Sequence, residues 1–286
     1  MTIFTSARKA ILLVGLAATT MSANAAEKAV GSSDLFSFAN GGRIVDAPDF
    51  PEMSSMHASP LNLIDNSAAT DWEGEAGEIT FVVELAELTE LHRISFDTAG
   101  LNRDVKSAKE FVVEVSETSA TKGFSEVLTG TLKMVKNGQS FAFKPEERPT
   151  AKWVRLTILS NYGDDYTAFT GFHGYGKQLT QDVTMPDLTG KYEGASGWGR
   201  INMTDSEDGV SGCYAYQQGE FDGVVDGRVL KLKMHQRADG QKLDGLFQMM
   251  AGGKLVGIVR NEGASNLDFY AAYYSAEKES NKPNGC

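Results

Sequence analysis

Cysteine is almost missing from this 286-residue chain, with only Cys213 and Cys286 present, so at most one disulfide can form. Histidine is nearly as scarce. The four residues His57, His92, His173 and His235 are scattered, and none stands at a metal-ligand spacing such as H-x-x-x-H, which argues against a zinc site. No G-x-S-x-G elbow occurs, so the usual strand-turn-helix nucleophile of a hydrolase is absent too. Basic residues are outnumbered, 27 Lys+Arg against 38 Asp+Glu, for a net charge of −11. An acidic surface repels phosphate backbones and excludes nucleic acid as the natural partner.

Long apolar runs are lacking after the first 25 residues. Arg8 and Lys9 precede an apolar run from Ala10 to Ala18, and Ala23-Asn24-Ala25 offers small residues for a signal peptidase. Residues 1–25 therefore read as a secretory signal, too short to span a bilayer stably. Its removal takes away two basic residues and no acid, moving the net charge from −11 to −13. The expected location is periplasmic or secreted, without membrane insertion. In that setting Cys213 and Cys286 are expected to form an intramolecular disulfide, closing a loop of about 70 residues and contributing about 4 kcal/mol in the chain-entropy model. Unpaired thiols or an intermolecular link are the alternatives.

What the chain has in quantity is strand pattern. Ile79, Phe81, Val83 and Leu85 alternate with Thr80, Val82 and Glu84, giving a strand with one apolar face, and Ile94 and Phe96 begin a second pattern after a short acidic connection. Phe111, Val113 and Val115 form another alternating set, as do Val154, Leu156 and Ile158. Asn137-Gly138 predicts a tight turn and a hairpin over Leu132 to Phe143, because both residues tolerate positive φ. Seven or eight strands without a sustained helical stripe predict an all-β sandwich or jelly roll over residues 41–177. Residues 26–40 read as a linker, and residues 178–186, polar and ended by Pro186, as a second one.

Residues 187–286 differ in character: glycines recur every few residues between short β patterns, of which Leu230, Leu232 and Met234 make the clearest strand. Six or seven strands with tight turns predict a small antiparallel barrel or sandwich. Gly219, Gly223 and Gly227 read as turn punctuation, and Asp205-Ser206-Glu207-Asp208-Gly209 as a hairpin turn.

The order of a polar turn (Asp65-Asn66-Ser67), Asp71-Trp72 and paired strands resembles the opening of a discoidin (coagulation factor 5/8 type C) domain, a galactose-binding-like β-sandwich. The segment FVVEVSETSATKGFSEV, the strand AKWVRLTIL and the closing Tyr175-Gly176 strengthen the likeness over residues 41–177. The second half, with Gly197-Trp198, a "GCY" strand and a "GRVL" strand, loosely resembles small lipocalin-like β modules.

The discoidin resemblance implies ligand contacts at the loops of one sandwich end. There the chain offers His57 in a proline-rich first loop, Asn102 and Arg103 in a second, and Asn161, Tyr162, Asp164, Asp165 and Tyr166 in a third. An aromatic face with planar polar groups suits a sugar ring and its paired hydroxyls. The same resemblance implies a structural calcium on Asp65, Asn66, Ser67 and Thr70, helped by a Glu in the final strand, but Thr170-Gly171-Phe172-His173 has no carboxylate there. The alternative is a hydrogen-bonded Asx turn. The resulting expectation is an exported, non-enzymatic protein binding a glycan. Alternatives are a scaffold subunit contacting an envelope protein, and a hydrolase with its site in the C-terminal barrel.

Overall fold

A computed structural model of the protein describes residues 33–48, 59–99, 104–195, 197–250, 252–264, 272–283 and 285. Nine strands build the first domain: β1 Arg43–Asp46, β2 Trp72–Glu75, β3 Ile79–Asp97, β4 Glu110–Ser116, β5 Ser125–Thr131, β6 Gln139–Ala142, β7 Thr150–Ile158, β8 Tyr166–Phe169 and β9 Gly171–Gln178. Eight more build the second: β10 Gly190–Gly194, β11 Gly199–Ser206, β12 Gly209–Tyr214, β13 Gly219–Asp226, β14 Val229–Gln236, β15 Lys242–Met249, β16 Lys254–Asn261 and β17 Ala272–Ser280.

The first domain is organised by β3. Its 19 residues run unbroken where the sequence suggested two strands around an acidic connection. The register against β7 shifts between Glu84 and Thr89, which bends the strand out of one layer and into the other. Its first half lies in the layer ordered β1-β3-β7-β4-β5, and its second half pairs with β6 and β9. Inward side chains follow the period-2 pattern. Phe81 stands opposite Leu156, which stands opposite Val113, and all three are fully buried in one row across β3, β7 and β4. Phe96, from the other half of β3, closes the core against Phe111 at 4.5 Å and Phe172 at 5.4 Å between ring centroids.

Three local expectations need correction. Asn137-Gly138 does turn the chain, with Gly138 at φ +66°, but β6 pairs with β3 and not with the preceding strand. The turn is instead clamped to the end of β3, Gly138 N donating to Asp97 Oδ1 at 2.6 Å. Of the expected linker 26–40, residues 26–32 lie outside the described residues, but residues 34–38 pack into the fold: Phe36 and Phe38 are buried, and Leu35 N donates to Gly174 O on β9. The connection after β9 is pinned as well, because Glu87, 7% exposed, accepts from Thr180 Oγ1 at 2.5 Å and Val183 N at 2.8 Å.

The second domain is a closed barrel in simple up-and-down order, β10 through β17. Eight strands form where six or seven were expected, and β13 is one that the sequence pattern hides. In the β13–β14 register Gly219, Phe221 and Gly223 stand opposite Gln236, Met234 and Leu232, so glycine occupies alternate inward positions and conceals the apolar face. A Cβ on Gly219 would fall 2.0 Å from the Tyr214 ring, and one on Gly223 2.8 Å from Leu232 Cδ2. Gly219 and Gly223 are therefore packing positions, whereas Gly227, at φ +58°, is the turn. Trp198 and Tyr214 stack at 4.7 Å and, with Tyr192, Phe221 and Phe247, are buried in the barrel's hydrophobic core.

The barrel is seated on the sandwich. Val256 and Ile258 belong to the sandwich's hydrophobic cluster, with Leu246 packed against it. Around this contact lies a buried polar junction. Arg228, 3% exposed, donates from Nε to Gly41 O at 2.5 Å and through its terminal nitrogens to Glu84 Oε1 and Glu84 O, both at 2.7 Å. Gln248, fully buried, donates to Phe38 O and Gly42 O and accepts from Arg43 Nε.

Candidate functional site

Three backbone segments converge at one end of the sandwich. Tyr162 N donates to Val105 O at 3.0 Å, Ala108 N to Ala168 O at 3.1 Å, and Leu132 N to Lys109 O at 2.7 Å. The loops before β4 and β8 thus meet the turn after β5.

Their individual residues divide into those that build the loop and those left to face solvent. Asn161 is a builder: its Oδ1 accepts from Gly163 N and Asp164 N, while Nδ2 donates to Asp164 O and Tyr166 O, both at 2.8 Å. Asp164 Oδ1 accepts from Tyr166 N, an Asx turn of the ordinary kind. Tyr162 is held by its hydroxyl, which donates to Leu132 O at 2.6 Å, and Lys109 Nζ lies 5.5 Å from its ring centroid. Tyr166, by contrast, is 46% exposed. Lys106 Nζ sits 5.1 Å from its ring centroid and is paired with Glu73 at 2.8 Å. Asp165 is exposed, its carbonyl accepting from Ala76 N. His57, Asn102 and Arg103 lie outside the described residues.

Glu73 and Lys106 could not be picked from the sequence. Glu73 reaches the site because β2 and β8 form a two-stranded ribbon that pairs Glu75 with Tyr166 and Glu73 with Ala168. That pairing is between residues about ninety positions apart, with no local signature. Trp72, on the same ribbon, is buried edge-on against Phe81 at 4.9 Å and serves packing.

The Asp65 turn is closed by its own hydrogen bonds as an Asx turn. Asp65 Oδ1 accepts from Ser67 N and Oδ2 from Thr70 Oγ1, both at 2.7 Å, so both carboxylate oxygens already serve the turn. Asn66 takes the left-handed conformation, φ +62°. Burial pushes the Asp65 carboxyl up to about 7 despite these bonds. A calcium site requires six to eight oxygens, usually with several carboxylates. Among the described residues no group of three or more His, Cys, Asp or Glu could hold a metal.

His173, the residue standing where a calcium-binding Glu was sought, has another role. Its Nδ1 lies 2.8 Å from Asp34 Oδ2 and its Nε2 3.1 Å from Asp97 Oδ2. Burial alone would lower its pKa, but the two carboxylates overcome that and raise it to about 9. The imidazolium, on β9, ties the N-terminal segment to β3. With both ring nitrogens engaged, it is a structural clamp.

Cys286 and residues 1–25 lie outside the described residues, so neither the disulfide nor the export signal is seen directly. Gly285 O does accept from Asn202 Nδ2 at 2.9 Å, and Asn202 stands opposite Cys213 in the β11–β12 register. No helix among the described residues is long and apolar enough to cross a membrane.

Comparison with known proteins gives one family match. Residues 54–178 match the Sad1/UNC-like C-terminal family, which has the discoidin or galactose-binding-like fold. A search of curated proteins gave no match. Solved structures similar to this chain include a family 32 carbohydrate-binding module from Clostridium perfringens in complex with GalNAc-β-1,3-galactose, with 14% identity, a TM-score of 0.39, and coverage of 47% of this chain and 94% of that one. A putative chitobiase fragment from Bacteroides thetaiotaomicron shares 17% identity at a TM-score of 0.43, covering 50% of this chain and 92% of its own. A third, from a family 31 glycoside hydrolase of Clostridium perfringens, shares 18% identity at 0.41, covering 53% and 98%. The family match over residues 54–178, together with the two-layer strand order through β3, shows that the first half has the discoidin-like, galactose-binding-like β-sandwich fold.

Proposed function

We propose that the protein is an exported, non-catalytic glycan-binding protein, periplasmic or secreted, that grips its ligand at the loop end of the discoidin-like domain. The observation that carries this reading is Tyr166, nearly half exposed at the ribbon tip beside the Glu73–Lys106 ion pair. A sugar presents an apolar face for an aromatic ring and hydroxyls for charged or planar polar groups, and this cluster supplies both. Asn161, Asp164 and the Tyr162 hydroxyl act one step back by fixing the loop that presents Tyr166.

Arrayed glycans test the reading. Tyr166→Ala is expected to weaken binding at least tenfold, corresponding to about 1.4 kcal/mol, and Lys106→Ala to change which glycans are retained. Binding by the wild type that survives both substitutions would remove the site. A scaffold role would follow if no glycan bound and crosslinking through this end captured an envelope protein. A hydrolase site inside the barrel has less support, because aromatic and aliphatic side chains pack that interior.

A further inference from the structure

The outer wall of the barrel over β10–β13 carries a groove of about 630 Å³, within the size range of small-ligand sites. A convex barrel wall does not form a groove by itself. One bank is the loop Tyr216–Gln218, where Gln217 and Gln218 are consecutive non-glycine residues at φ +50° and +52°. The sparsely populated conformation is held by Ala238 N donating to Gln217 O at 3.1 Å. Opposite, Gly285 rests on buried Asn202.

Every barrel strand is already paired on both sides, so the wall has no edge onto which an extended peptide could add as a further strand. A ligand must be held by side chains. Those presented are planar and polar: Arg200, Glu193 and Gln218 are exposed, and Arg200 and Glu193 face each other across β10–β11. Neither forms an ion pair among the described residues, and the side chain of Gln218 has no hydrogen-bond partner there. The remaining charges in the groove, Arg237 and Glu220, neutralise each other as an ion pair. Two guanidinium groups are thus matched by two carboxylates, which favours neither an anion nor a cation. Tyr216, 47% exposed, precedes Gln217 and Gln218 in the loop that forms the first bank.

We propose that this groove is a second binding site, distinct from the sandwich end, and that it takes a neutral oligosaccharide. Balanced fork-shaped donors and acceptors pair with vicinal hydroxyls of an uncharged sugar.

The test uses the full chain and a panel of neutral galactosyl, glucosyl and N-acetylhexosaminyl oligosaccharides, alongside uronate-containing ones, read by calorimetry and by NMR of the arginine Nε–H signals. With Tyr166→Ala in the background, neutral oligosaccharides are expected to bind still and to shift the Arg200 signal. Arg200→Ala with Gln218→Ala is expected to weaken that binding at least tenfold while circular dichroism stays unchanged. Glu193→Ala, at an exposed lining position, supplies a second variant with the same expected loss. No neutral ligand in the Tyr166→Ala background, binding indifferent to all three groove substitutions, or preference for uronates would overturn the proposal. Binding lost on Tyr166→Ala alone would leave the sandwich site standing and remove this one. Binding lost only with the groove variants would do the reverse.

Discussion

Replacing Arg228 with alanine should loosen both domains at once. Its guanidinium makes three hydrogen bonds across the junction, to Gly41 O, Glu84 O and Glu84 Oε1, from a side chain 3% exposed. Removing it leaves two carbonyls inside the contact without this donor, at roughly 1–3 kcal/mol for each left unsatisfied. Stripping a buried ion pair of one partner costs about 3–5 kcal/mol in total. Two features pull the figure toward the lower end: Glu84 is 21% exposed, and Lys152 Nζ remains 3.9 Å from it. The expected loss is about 3 kcal/mol, which for a chain of this size lowers the midpoint by about 6–12 °C at 2–4 °C per kcal/mol. Because Val256 and Ile258 sit in the sandwich's own core, calorimetry should show one transition moving as a unit. Arg228→Lys should recover little of the loss, since an ammonium cannot span the three acceptors in one fork. A loss under about 1 kcal/mol, or two transitions of which only the barrel's moves, would refute the idea that this junction welds the domains.

Further outcomes follow from the same reasoning. His173, with a folded pKa of about 9 against 6.5, contributes stability that is fully present below pH 6.5 and is lost as pH rises through 9, about 3 kcal/mol in all. Urea midpoints at pH 6 and 9.5 should therefore fall further in the wild type than in His173→Gln, and equal slopes would contradict the clamp. Asp65, raised from 3.8 to about 7, favours the folded state below pH 3.8 and loses that contribution as pH rises through 7, so Asp65→Asn should gain on the wild type by up to about 4 kcal/mol between pH 4 and 8. Gly223→Ala should destabilise the barrel by about 1–3 kcal/mol, since the added Cβ would meet Lys231 O at 2.0 Å, while Gly240→Ala, in open space at φ +75°, should cost about 1 kcal/mol of backbone strain. Non-reducing peptide mapping should recover Cys213 and Cys286 as one linked pair, and alkylation of both thiols in the native protein would exclude it.

Much of the sandwich was legible because its strands bury one face. The alternation Ile79, Phe81, Val83, Leu85 maps directly onto core positions, as do Val113 and Leu156, and the polar-turn and Asp-Trp order located the domain. What stayed hidden depends on contacts between distant residues. Phe36 and Phe38 carry no period in so short a segment, and their environment comes from distant parts of the chain: β9, Ile64 and the barrel. The acidic run around Glu87 reads as a solvated connection until Thr180 and Val183 arrive to bond it. Strand β13 was invisible for another reason: glycine at its inward positions gives the pattern of a loop while serving the packing of Tyr214 and Leu232. The loop-end site was half legible. Its tyrosines and Asx residues stand out in the sequence, but which of them faces solvent depends on whether a carbonyl such as Leu132 O is within reach.

The junction also bears on binding. The two proposed sites lie on different domains, and a flexible linker would let them engage ligands independently. Here the intervening segment is anchored to Glu87 and Leu88, and the barrel wall is part of the sandwich core. A fixed geometry gives a high effective concentration for the second contact only when the ligand spans the separation, and close to none otherwise. Long or densely presented glycans should therefore bind the full chain far more tightly than short ones, and weakening the junction with Arg228→Ala should narrow that difference while leaving affinity for short oligosaccharides nearly unchanged. Equal affinity for short and long chains in the wild type would mean that the two surfaces do not act together.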